Sequence, residues 1–439
     1  MRRLVLSIVF VAVSFPILAF ERQSNADYHA RRERVAAKLG KGVLVLFAGT
    51  EGEGQNATHG FRQDEDFYYL TGWREPGAGL IVAAANDVHP YQEILFLPAH
   101  NRSQERWTGP KLGAENPEAR SLTGFDRVEV LDRMRDELVA ILPSPAATIY
   151  TDLSDRGSTA STIPIEWLRR ANAFPNYASF LDAKTLLGNL RLTKDAGEIS
   201  MIRKASDATV AAHLAAMHKA HAGMTENELS AIMQYEFERA GCEEPAYSPI
   251  VGSGLNSTVL HYSINSGTMA DGEVVLLDVG GEYSMYATDV TRTLPVSGHF
   301  TPRQREIYDI VLGAQQAAVT AFRAGVSTIG RTAPNSLYKV AYDYINTHGK
   351  DVHGQPLGPY FIHGLGHYVG LNVHDPGDVT IPLAAGAVFT IEPGIYIPEE
   401  SLGVRIEDTY VVGNDGKLIC LSCAIPTKAT DVEAIVSKR

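Results

Sequence analysis

At 439 residues the chain exceeds what one ordinary hydrophobic core organises, so two domains are expected. Apolar residues make up 45% and charged residues 21%, a globular balance that excludes disordered, collagen-like and coiled-coil chains. The formal net charge of −12, without a long Lys/Arg run, argues against nucleic acid or an anionic lipid surface as partner.

Arg2 and Arg3 precede an apolar run from Leu4 to Phe20, broken only by Ser7, Ser14 and Pro16. With the small Ala19 at its exit, residues 1–19 read as a secretory signal peptide. The protein is therefore expected to be exported, periplasmic or extracellular, with no stable membrane insertion after cleavage. An uncleaved anchor is the competing reading, because the run just meets the length needed to span a bilayer; Pro16 favours cleavage. No Cys follows the run, so a lipoprotein is not supported.

Residues 20–190 alternate helix and strand signals and read as an α/β domain. A helix is expected over 28–40, and short apolar strands over 42–48, 80–85 and 93–98. Residues 191–439 read as a second, mixed α+β domain. A helical pattern runs to about His221, and Thr225 with Glu228 makes a capping box for a helix carrying Leu229, Ile232, Met233 and Phe237. Thr301-Pro302 starts another helix. Strands are expected over 274–279, 287–293, 388–392 and 404–412, in a largely antiparallel sheet with paired helices outside. Cys242, Cys420 and Cys423 are too few for a disulfide scaffold. The single C-x-x-C lacks a second pair for zinc and a thioredoxin-like setting, so all three cysteines are taken as structural.

The second half carries carboxylates where apolar strands should bury them. Asp278 ends Val274-Val-Leu-Leu-Asp278 and precedes Gly280-Gly281. A buried, unpaired carboxylate costs several kcal/mol, so a cation should face it. A hairpin folded at Gly280-Gly281 would bring Asp289 to the same sheet face. Two such acids repel unless they share a proton or a cation. Arg292 is the obvious partner, but strand alternation points it to the other face. Glu392 closes Val388-Phe-Thr-Ile-Glu392, and Glu407 lies in Val404-Arg-Ile-Glu-Asp408, where Arg405, Glu407 and Thr409 share one face.

Histidines complete the set: His363, His367 and His374 in a glycine-rich stretch, and His261 after Gly252-Ser-Gly254. His363 and His367 have the spacing of a helical zinc motif, but Gly364 and Gly366 would break that helix and no Glu follows His363. Four carboxylates and one imidazole suit hard or borderline divalent ions, and their charge balances two of them. Mn²⁺ is the expected ion, with Co²⁺, Fe²⁺ and Zn²⁺ compatible. Two such ions can activate water and clamp an oxyanion.

These residues, in this order, resemble the M24 metallopeptidases of the pita-bread fold, a group that includes methionine aminopeptidases, aminopeptidase P and prolidase. The contexts His363-Gly-Leu-Gly-His367, Glu392-Pro-Gly394 and Arg405-Ile-Glu-Asp408 carry the likeness. The resemblance implies metal ligands Asp278, Asp289, His367, Glu392 and Glu407, with Asp289 and Glu407 bridging and Thr291 orienting a ligand. In the proline-specific branch, His261, His363, His374 and Arg405 fall on substrate-binding positions, and Tyr396 on a wall of the proline pocket. The stretch 61–76, Phe-Arg-Gln-Asp-Glu-Asp-Phe-Tyr-Tyr-Leu-Thr-Gly-Trp-Arg-Glu-Pro, resembles the N-terminal domain of aminopeptidase P, as does 102–113. Methionine aminopeptidases lack that domain, and creatinase, with the same two-domain plan, lacks the metal ligands.

The implied fold is an N-terminal creatinase-like α/β domain plus a C-terminal pita-bread catalytic domain, α+β overall. The implied activity releases the first residue of peptides with proline second: Glu392 moves the proton of the attacking water, and His374 and His261 stabilise the tetrahedral intermediate. Prolidase, restricted to X-Pro dipeptides, is the alternative, and an inactive pita-bread binding protein is the alternative of another class. The resemblance also admits a homo-oligomer. One departure is the gap between Glu392 and Glu407, only 15 positions and short for aminopeptidase P.

Overall fold

The computed structural model describes residues 20–50, 60–86, 89–142, 148–153, 167 and 179–438. The expected signal peptide, residues 1–19, lies outside them. Among the described residues no helix is long and apolar enough to cross a membrane.

The first helix, Asn25–Leu39, starts three residues before the expected 28. Ser24 explains the shift: its hydroxyl accepts from Asp27 N, and the Asp27 carboxylate accepts from Ser24 N. The basic positions of this helix are not all solvated. Arg31 and Arg32 are buried, the first against Asp195 at 2.7 Å and the second against Glu93 at 2.8 Å. The strands β1 (Val43–Phe47), β2 (Gly79–Ala83), β3 (Gln92–Leu97), β4 (Arg127–Val130), β5 (Thr148–Thr151) and β6 (Ser179–Asp182) form one sheet in the order β4-β3-β2-β1-β5-β6. Its antiparallel centre (β1-β2-β3) is flanked by parallel pairs. Leu44, Leu46, Leu80 and Leu95 face one side of the sheet, and Val43, Val45, Ile81 and Ile94 the other, each in its own apolar cluster.

The second half has β7 (Glu244–Pro245), β8 (Ile250–Ser253), β9 (Val274–Asp278), β10 (Gly281–Tyr283), β11 (Tyr286–Ala287), β12 (Thr291–Pro295), β13 (Val388–Ile391), β14 (Gly394–Ile397), β15 (Leu402–Arg405), β16 (Asp408–Val412) and β17 (Leu418–Cys420). Every named pairing among them is antiparallel, as expected. Two helix pairs flank these strands: Ala196–Lys219 with Glu226–Arg239, and Pro302–Ala321 with Leu337–His348. The capping boxes at Thr225 and Thr301 are both present.

Two expectations need correction. The connection from β9 does not turn back at Gly280-Gly281. It continues into the β10–β11 ribbon and returns to pair β12 with β9, so Asp278 faces Thr291. The tight turn is at Ser284 and Met285, both with positive φ (53° and 72°), as a two-residue hairpin loop requires. Asp289 therefore lies in an extended link before β12 rather than in a strand over 287–293. The expected strand 404–412 is also broken. β15 pairs with β14 and β16 with β13, and Ile406-Glu407 spans the gap, with Glu407 N donating to Thr291 O at 3.1 Å. Cys420 and Cys423 form a disulfide, and Cys242 is free and buried.

Candidate metal centre

Asp278 arrives from β9, Asp289 from the link before β12, His367 from the glycine-rich loop, Glu392 from the end of β13 and Glu407 from the β15–β16 gap. Tight backbone crossings make this convergence possible. A Cβ on Gly366 would come within 2.0 Å of Thr390 O, and one on Gly280 within 1.9 Å of Thr288 O. Both glycines let the ligand-bearing backbone lie against its neighbour.

The five side chains meet. Ligand atoms of Asp289, His367 and Glu407 all lie within 4.8 Å of one another. His367 Nε2 is 3.3 Å from Asp289 Oδ2 and 3.6 Å from Glu392 Oε1. Its Nδ1 donates to Tyr368 O at 3.2 Å, which fixes the tautomer and leaves Nε2 facing the acids. Thr291 Oγ1 donates to Glu407 Oε2 at 2.7 Å, the orienting contact expected of it. Arg292 points away, onto Asp408 at 2.7 Å, so it does not neutralise the cluster. Thr409 Oγ1 accepts from Asp289 N at 3.1 Å and donates to Asp289 O at 2.7 Å, holding that link in place.

Two partners of the acids are not evident in the sequence. Arg405 donates to Asp278 through Nη2 and to Thr291 Oγ1 through Nε at 3.0 Å. Tyr247 donates its hydroxyl between Asp278, at 2.7 Å, and Asp289. The only trace of Tyr247 in the sequence is its place between Pro245 and Pro249, just ahead of β8.

The electrostatics are those of an anionic cluster short of positive charge. Burial pushes Glu392 up to about 7, with His367 and Arg405 pulling the other way. Burial likewise raises Asp278 to about 6 against Arg405. Glu407 is pushed well above the carboxylate range by burial and then by Asp289 and Glu392. Asp289 is the exception: burial would raise it, but the His367 imidazole beside it holds it low. Burial works against the charged form of His367, yet Asp289 and Glu392 raise it to about 9. Glu407 Oε1 is buried and has no hydrogen-bond partner among the described residues. Raised carboxyls, an orphan carboxylate oxygen and an imidazole nitrogen aimed at them form a donor set that fits divalent cations.

Of the other expected residues, His261 and His374 line the approach, and His363, Tyr396 and Arg405 form a linked group beside it. A cavity of about 200 Å³ is bounded by Tyr247, Ile250, His261, Asp278, Asp289 and His374. The His374 ring stands edge-on to His367 at 4.4 Å. His363 Nδ1 donates to Gly364 O at 2.8 Å, so its Nε2 accepts from Tyr396 OH at 2.8 Å. The Tyr396 oxygen in turn accepts from Arg405 Nη1 at 2.8 Å. Burial and then Arg405 lower His363 to about 3, so its imidazole is neutral.

The first half of the chain braces this wall. Arg62 donates to Leu371 O at 2.6 Å, and Asn372 donates to Glu65 at 2.9 Å. Arg191 joins Asp66 to Asp375, both at 2.6 Å, and Lys194 adds a second cation on Asp375 at 3.0 Å. The segment 61–76 thus supports the loop that carries His374.

Comparison with known proteins agrees with this geometry. Residues 200–414 match the model of metallopeptidase family M24, and residues 28–150 that of the aminopeptidase P N-terminal domain. The chain is 32% identical to the Xaa-Pro aminopeptidase of Escherichia coli K12, covering 94% of this chain and 98% of that protein. It is 33% identical to the Xaa-Pro aminopeptidase of Haemophilus influenzae, over 94% and 97% of the two chains. The solved low-pH structure of E. coli aminopeptidase P superposes with a TM-score of 0.83 at 31% identity, over 95% of this chain and 99% of that one.

Proposed function

This chain belongs to metallopeptidase family M24, in its Xaa-Pro aminopeptidase branch, and we propose that it is a metal-dependent exopeptidase releasing the N-terminal residue of peptides with proline second. Its fold is the family's: an aminopeptidase P-type N-terminal domain followed by a pita-bread domain. The observation that carries the reading is the convergence of Asp278, Asp289, His367, Glu392 and Glu407 around the unpartnered Glu407 Oε1. We assign these five as the residues that would hold two divalent ions, with Mn²⁺ as the native metal. The relatives are Xaa-Pro aminopeptidases, so neither a prolidase nor an inactive binding protein is favoured.

The substrate explains the need for such a site. An X-Pro bond is a tertiary amide with no N–H, and its ring fixes φ, so a site that grips the scissile N–H cannot use it. When bound, the cations supply Lewis-acid polarisation of the scissile carbonyl and a water of lowered pKa. Glu392, 3.6 Å from His367 Nε2, takes the proton of the attacking water and returns it towards the leaving proline nitrogen. His261 and His374, on the cavity wall, donate to the developing oxyanion. Tyr396 and His363, tied together and to Arg405, form the wall against which the proline ring packs.

We further place the domain boundary between residues 190 and 191 and the mature start after residue 19. The Cys420–Cys423 disulfide supports an oxidising, extracytoplasmic location. N-terminal sequencing of protein from the cell envelope or medium should begin at Phe20; a chain starting at Met1 there overturns the cleavage and identifies the anchor, and protein held in the cytoplasm overturns the export. Metal and chain length are tested together. Metal-free protein reloaded separately with Mn²⁺, Co²⁺ or Zn²⁺ should cleave an X-Pro-Pro tripeptide best with Mn²⁺. Cleavage of X-Pro dipeptides alone would identify a prolidase instead.

A further inference from the structure

The loop 253–267 carries His261 to the cavity, and one carboxylate holds the loop together. Glu226, the first residue of the Glu226–Arg239 helix, is fully buried. Its Oε1 accepts from Ser253 N at 2.8 Å, Ser253 Oγ at 2.9 Å and Asn256 Nδ2 at 3.0 Å. Its Oε2 accepts from Tyr262 OH at 2.9 Å and Gly267 N at 2.6 Å. All five donors belong to that one loop. The positive end of the helix favours the anion at this position. We propose that Glu226 is a positioning residue for the reaction, folding the 253–267 loop so that His261 faces the cavity.

The alternation of the segment shows how. Leu260 and Tyr262 turn inward, onto Ile250, Leu276 and Tyr396. His261 and Ser263, the residues that alternate with them, line the cavity. The Tyr262–Glu226 bond therefore sets which way His261 points: a twist that freed Tyr262 would rotate its neighbour away. Gln cannot substitute, because its amide N–H₂ would meet at least the Gly267 N–H or the Ser253 N–H, donor against donor.

The proposal rests on the role given to His261, and its test separates the two. Glu226→Gln, His261→Ala and the double variant are compared on an X-Pro-Pro peptide, with metal content and circular dichroism recorded for each. Glu226→Gln should lower kcat about ten- to hundredfold with KM little changed, the scale of a misplaced catalytic group. In the His261→Ala background the same change should cost less than about twofold, since its route of action is already gone. Additive losses would overturn the proposal, and so would wild-type turnover in His261→Ala. Tyr262→Phe removes one donor to Glu226 and the acceptor of Ser266 N, keeps the carboxylate and guards against a Glu226→Gln variant that fails to fold. It should show a smaller kcat loss with the same non-additivity, and full additivity there overturns the proposal equally. Ring-nitrogen NMR of His261 needs no turnover. If the wild type cleaves nothing, the functional reading fails, yet a His261 resonance that moves in Glu226→Gln, with His363 and His374 unmoved, still supports the positioning; an unmoved His261 contradicts it.

Discussion

Glu392 meets two demands at once: it stands 3.6 Å from His367 Nε2, where it would help to hold a cation, and the proposed reaction gives it the proton of the attacking water. Replacing it by Ala should lower kcat by about 10²- to 10⁴-fold, the range of a lost proton-transfer group. Turnover unchanged at full metal occupancy would remove it from the mechanism. The same residue makes metal binding depend on pH. Metal-free, Glu392 keeps its proton up to about 7, Asp278 up to about 6 and His367 up to about 9. A cation must displace those protons. All three shifts are upward, so each favours the metal-free fold at low pH, and that advantage fades as pH rises towards those values. Calorimetric titration should therefore show metal affinity rising steadily with pH from about 6 to about 9 and proton release on binding; a flat profile would contradict the assignment. The four acids and the imidazole were legible in the sequence because charged groups in apolar strands demand a partner. Tyr247 and Arg405 as partners of Asp278 were not, since pairing across three strands has no spacing in the chain.

At the scale of elements, the helices were the most legible. Thr225 with Glu228 caps as the sequence implies and Pro302 opens its helix as expected, with a Thr301–Gln304 box added, because helix starts are set by local devices. The β10–β11 ribbon was missed because its turn uses Ser284 and Met285, residues that rarely take the positive φ such a turn needs, rather than the adjacent glycines. Gly366 does a different job, letting the His367 backbone lie against Thr390. Gly366→Ala should cost about 1–3 kcal/mol by overpacking and weaken metal binding, because the loop must move with its ligand. Urea melts with and without metal measure both effects, and an unchanged metal affinity would contradict this. The disulfide closes a short loop behind the site. Ser422, between its cysteines, donates to Asp408, whose partner Arg292 holds the Glu407 carbonyl at 2.6 Å. Replacing Cys420 and Cys423 by Ser should cost about 2 kcal/mol, the chain-entropy value for so short a loop. A midpoint of urea unfolding that does not move would show that the bridge is not a stabilising element.

Across the whole molecule, the first half of the chain does more than cover the second. Its Arg62, Glu65 and Asp66, with Arg191 and Lys194, hold the loop of His374 through Asp375. Asp375→Asn would leave two buried cations with one fewer anion and should cost about 3–5 kcal/mol. It should also lower kcat by releasing His374, and a stable, fully active variant would mean that the halves are only packed together. The two-domain plan was legible from length and from the change of pattern near residue 190; this brace was not, because its members lie more than a hundred residues apart. The central claim is that the five-ligand centre cuts before proline. The most direct measurement is mass spectrometry of a peptide with proline second and of the same peptide with alanine there, incubated with metal-free and Mn²⁺-loaded protein. The account predicts loss of the first residue from the proline peptide alone, only with metal, and with no further trimming; an intact proline peptide at full metal occupancy, or equal cleavage of the alanine peptide, would contradict it.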